Sequence, residues 1–187
     1  MQERATRKSS RRTSSPAVQK EEAMVTITCS SKLHAALSEG GVLEGEAAPG
    51  PTVRLGNWAA IPAGVDLLVA IEVKTCLTLV TRIRPVAGLR HRLAAALRRS
   101  LVNCRVSPEV IEPECRGLRQ ALFVRGRNPA LAEALGFAKI EGQAHVEGGQ
   151  CEESVQDMLN EYPYGECPDS CATEAVAMLF QPPVCPS

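Results

Sequence analysis

The chain has 187 residues, 44% of them hydrophobic, with 21 acidic and 21 Lys or Arg side chains. That length predicts one folded domain and argues against a second full one. Aromatics make up only 3%, so the core must be built from Ala, Val and Leu, a poor basis for base-stacking or carbohydrate-binding platforms. The zero net charge is segregated: residues 74–139 carry thirteen Lys or Arg against four Glu, and everything after Lys139 carries nine Asp or Glu and no Lys or Arg.

Residues 1–23 hold six Lys or Arg against three acids and are rich in Ser. Such a segment cannot build a core and reads as a disordered basic tail. It has no apolar run of signal-peptide or anchor length, which predicts a cytoplasmic protein with no membrane partner. Translation from Met1 or from the internal Met24 fits equally well. V-T-I-T-C after Met24 alternates as a short strand does. Ser31 to Glu39, with Leu33 and Leu37 at i, i+4, reads as a helix stopped by Gly40-Gly41.

The block from Leu55 to Arg84 reads as consecutive strands. Residues 66–73 are almost wholly aliphatic, Lys74-Thr75 can turn the chain, and residues 76–83 alternate imperfectly. Pro85 then opens a helix over 86–102, with Leu89, Leu93, Leu97 and Leu101 as its apolar stripe and Arg92, Arg98 and Arg99 on the other face. Ser107-Pro108 starts a second helix that Pro113 is predicted to interrupt. Residues 121–124 resemble another strand. In R-G-R-N-P-A-L-A-E-A-L-G, Asn128 is an N-cap, Pro129 an N1 residue and Gly136 a stop. A strand, a glycine turn flanked by Arg125 and Arg127, and a helix start can hold an anion, although the spaced glycines of a P-loop are missing.

At the acidic end, S-V-Q-D-M-L-N-E-Y-P predicts a helix with Ser154 and Asp157 in capping-box positions, and residues 173–180 a last apolar helix. Eight cysteines without a secretory signal imply reduced thiols. Cys167 and Cys171 have the spacing of half a zinc site, which Cys151 and Cys185 could complete, but the second close pair is missing. No metal and no cofactor are therefore predicted. His145 with Cys151 lacks a third orienting group, and His34 and His91 read as surface or structural.

Four segments, T-C-S-S-K-L at 28–33, L-G-N-W-A-A at 55–60, K-T-C-L at 74–77 and L-N-E-Y-P at 159–163, together resemble an uncharacterised, mostly bacterial domain family of unknown function. Its landmarks are a C-T-x-K-L start, L-G-D-W-Y-A-N, N-R-S-V-L-G-S-M-N-D and a late L-N-E-x-P. The chain departs from that pattern at Asn57, Ala59 and Ile61, and after Asn128, where Pro129, Leu131 and Glu133 stand. The resemblance implies a shared fold and a bacterial setting and brings no activity with it.

These readings converge on an α+β fold. Residues 24–181 would form a single domain, a mainly antiparallel sheet with helices packed against one side, between the tail of residues 1–23 and a C-terminal tail of residues 182–187. The expected function is non-enzymatic binding or regulation, with the basic middle engaging an acidic protein partner, a second copy or the chain's own acidic end. Arg90, Arg98, Arg99, Arg125 and Arg127 are the candidate anion- or nucleic-acid-binding residues. Two alternatives stay open: a nucleic-acid-binding or toxin-type nucleic-acid-processing protein using the Arg-rich middle, and a Cys-based metal-binding module.

Overall fold

The computed structural model describes residues 24–43, 53–165 and 171–181. The tails read at 1–23 and 182–187, together with Cys167 and Cys185, lie outside the described residues. Five strands form one sheet: β1 (Thr26–Cys29), β2 (Asn57–Ala63), β3 (Leu67–Glu72), β4 (Thr78–Arg82) and β5 (Leu122–Arg125). Their spatial order is β4-β3-β2-β1-β5.

The middle of the chain supplies an antiparallel meander, because the connections β2 to β3 and β3 to β4 are only a few residues long. β1 instead pairs in parallel with both β2 and β5. The sheet is thus mixed, which corrects the expected mainly antiparallel one. The cause is connection length: helical segments intervene between β1 and β2 and between β4 and β5, and a crossover of that kind can deliver a parallel strand.

Helices cover both faces rather than one side. α1 (Ser31–Glu39), α2 (Leu89–Asn103) and α3 (Pro108–Arg119) bury Leu33, Leu37, Leu93, Leu97 and Leu118 in a first core with Ile27, Trp58, Leu68, Leu79 and Phe123 of the sheet. α4 (Ala132–Glu147) and α5 (Glu152–Glu161) bury Ala138, Val155 and Leu159 in a second core with Ala59, Val69, Ile71 and Val80. Alternate residues of each inner strand feed the two cores, so β3 is buried at all six positions, as its aliphatic run requires. α6 (Ala172–Phe180) adds Val176 to the first core.

Three local expectations fail, two of them for packing reasons. α3 runs unbroken through Pro113, held by burial of Ile111, Cys115 and Leu118 and by the Glu114 carboxylate, which accepts the Arg54 and Leu55 amides at 2.7 and 3.2 Å. α4 passes Gly136 and ends at Gly148, because its apolar side lies on β2 and β3. α5 starts at Glu152 with Cys151, not Ser154, at its N-cap.

Candidate functional site

β1 and β5 are parallel neighbours whose chains leave the sheet in opposite directions. β1 runs into α1 on the first face, and β5 runs through a short 3-10 turn (Pro129–Leu131) into α4 on the second. Such a divergence opens a crevice at the carboxyl ends of the strands, where open sheets with parallel strands bind ligands. On the second face α4 packs against β2 and β3, while Thr28 of β1 stays half-buried and Val124 of β5 is exposed.

At the mouth of the crevice lies a polar pocket of about 470 Å³ lined by Ser30, Ser31, Lys32, Arg125, Gly126 and Arg127. Ser30 is the N-cap of α1, its Oγ accepting the Leu33 amide at 3.4 Å. Arg125 Nε donates to Ser31 Oγ at 3.1 Å, which ties the end of β5 to the start of α1. The Gly126 amide donates to the Cys29 carbonyl at 3.0 Å. A Cβ on Gly126 would stand 2.9 Å from Thr28 Cγ2, so glycine is what lets this loop lie against β1. Lys32, Arg125 and Arg127 are exposed, and no acidic side chain is among the residues lining the pocket.

An apolar cleft of about 420 Å³ adjoins this pocket, and Ser30, Gly126 and Arg127 line both. Ala59, Ala60 and Ile61 form its sheet wall, and Pro129, Ala132, Leu135 and Gly136 its α4 wall. Asn128 also lines the cleft, its Oδ1 accepting the Ala130 amide at 3.1 Å. No aromatic, imidazole, thiol or carboxylate side chain is among the residues lining either cavity.

Of the five arginines singled out from sequence, the structure gathers only Arg125 and Arg127 in this pocket. Arg90 donates to the Val42 carbonyl at 2.9 Å and lies over the Phe123 ring. Arg98 pairs with Glu112, which also takes Arg119 at 2.6 Å; hydrogen bonds from Arg119 and then Arg98 hold the Glu112 carboxyl below its ordinary value. Arg99 pairs with Glu153 of α5 at 3.2 Å, and Arg82 with Glu152 at 2.6 Å. Part of the basic middle therefore meets the chain's own acidic end.

Sequence reasoning missed Ser30, Ser31 and Lys32, which lie more than 90 residues before Arg125 in the chain. The available signal was the T-C-S-S-K-L segment, which the fold places at the pocket, with Ala59 and Ala60 of L-G-N-W-A-A on the adjoining wall. The other two segments are structural. Glu72 Oε2 accepts the Lys74 and Thr75 amides at 2.9 Å each, with burial pushing its carboxyl above the ordinary value. Asn160 of L-N-E-Y-P accepts the Thr78 amide at 2.7 Å and donates to the Thr78 carbonyl at 3.0 Å.

The thiols stand apart from the crevice. Cys29 faces the first core, and burial raises its thiol to about 11. Burial raises Cys104 to about 11 as well, with Glu161, Cys171 and Asp157 adding to the effect. Cys76 is disulfide-bonded, contrary to the expectation of uniformly reduced thiols, and the other described cysteines are free. Among the described residues no three His, Cys, Asp or Glu side chains gather as a metal site. His145 faces Glu141 at 3.6 Å rather than Cys151, whose Sγ lies 3.2 Å from Ser154 Oγ. No described helix is long and apolar enough to cross a membrane.

Comparison of the chain with protein-family models, curated proteins and solved structures found no match in any of the three.

Proposed function

We propose that the protein is a non-enzymatic binding or regulatory protein that captures a small anion in the pocket between the end of β5 and the start of α1. The observation that carries this reading is the meeting of Lys32, Arg125 and Arg127, from two distant parts of the chain, around a cavity with no acidic side chain among its lining residues. The Ser30 and Ser31 hydroxyls and the start of α1 add donors of the same electrostatic sense. A bound anion would meet cations and hydroxyls with no base, thiol or carboxylate beside it, which supports binding over turnover.

The family resemblance belongs to this proposal, since two of its four segments line the crevice. The nucleic-acid alternative draws support from Arg125 and Arg127 alone, because Arg98 and Arg99 are engaged by Glu112 and Glu153.

Calorimetric titration with inorganic phosphate tests the reading. Saturable one-to-one binding is expected, weakened about tenfold or more by Arg127→Ala through loss of a charge-assisted contact. Arg98→Ala, remote from the pocket, should leave it unchanged. Equal affinity in the wild-type and Arg127→Ala proteins would reject the assignment.

A further inference from the structure

We infer that the anion is the phosphate monoester head of an aliphatic chain, held by Lys32, Arg125 and Arg127 while the chain lies in the adjoining cleft between β2 and α4. The inference rests on the anion-binding reading above and adds the class of ligand. The two cavities share Ser30, Gly126 and Arg127, so one molecule can occupy both without crossing a barrier. Three cations with no acid among the lining residues suit a dianion better than a carboxylate.

The character of the cleft settles the rest of the molecule. Its walls are aliphatic, and without an aromatic side chain it offers no platform for stacking a base or a planar ring. Its polar groups, Thr28, Ser30, Arg127 and Asn128, belong to β1, to the N-cap of α1 and to the segment after β5, around the shared part of the two cavities. Beyond them the α4 wall offers Ala132, Leu135 and Gly136. A Cβ built on Gly136 meets nothing within 4 Å, so the helix leaves open space there that an aliphatic chain can fill. Sugars and peptides would bury unpaired polar groups against this wall, a penalty that a hydrocarbon avoids.

The test is a titration series of the full chain with inorganic phosphate and with ethyl, butyl and hexyl phosphate, each below its aggregation concentration. Each added methylene should tighten binding about three- to fourfold until the cleft is full. Gly136→Leu, which puts a side chain into the open space, should keep phosphate binding and flatten the chain-length gain. Ala132→Leu, on the same wall, provides the same readout if the first variant does not fold.

Phosphate binding with no gain along the series in the wild-type protein would overturn the aliphatic tail and leave the anion site standing. No binding of any member, together with no retention on phosphatidylcholine vesicles containing phosphatidic acid, would overturn both. A lipid headgroup offers the same chemistry. Retention on phosphatidylcholine vesicles containing phosphatidic acid, without binding of soluble hexyl phosphate, would reject a soluble ligand.

Discussion

Asn160 does for the open edge of β4 what another strand would do. Its amide pairs with both the N–H and the C=O of Thr78, and one turn earlier Gln156 accepts the Val80 amide at 3.0 Å while donating to Ser100 at 2.7 Å. Two side chains at i, i+4 thus satisfy a sheet edge that would otherwise invite pairing with another chain. Asn160→Ala would leave two buried backbone groups unpaired, at a cost of about 2–4 kcal/mol. Urea unfolding should show that loss, and a change under about 0.5 kcal/mol would contradict the edge-sealing role. The residue was visible in the sequence as part of L-N-E-Y-P. Its role was not, because that depends on β4 lying alongside α5, which local periodicity does not encode.

At the level of elements, the boundaries that were legible are those set by nearest neighbours: the Ser31 start and Gly40 stop of α1, the Lys74-Thr75 turn and the Asn128-Pro129 start. The failures at Pro113 and Gly136 share a cause, since burial of a helix face, against α2 for α3 and against β2 and β3 for α4, outweighs a local breaker. Glycines within helices give a matched test of that balance. A Cβ at Gly136 meets open space, whereas one at Gly117 of α3 would stand 2.7 Å from Val53 Cγ1 and 2.9 Å from Val25 Cγ2. Gly136→Ala should therefore stabilise by up to about 1 kcal/mol through helix propensity. Gly117→Ala should destabilise by about 1–3 kcal/mol through overpacking. Thermal unfolding of the two variants reads the difference, and a shared sign would mean that the packing around one of these helices is misassigned.

Across the whole molecule, the meander could be read from sequence because its strands are adjacent and its turns short. The parallel pairing of β1 could not, since β5 follows it by nearly a hundred residues. The candidate site divides in the same way: Arg125 and Arg127 stood out in one short segment, whereas Ser30, Ser31 and Lys32 join them only through that long-range pairing. The charge segregation likewise changes meaning once folded. Arg82 and Arg99 turn to Glu152 and Glu153, Arg98 and Arg119 share Glu112, and Arg92 caps the carbonyls of Arg82, Ile83 and Pro85. Arg127, by contrast, forms no hydrogen bond or ion pair with the described residues, and it stands where the crevice opens. The central claim is that this crevice is the binding site. Amide resonances followed by NMR during a phosphate titration test it most directly. The account predicts saturable shifts concentrated at residues 30–33 and 125–128; saturable shifts centred on α2 and α5 instead, with those two segments unmoved, would contradict it.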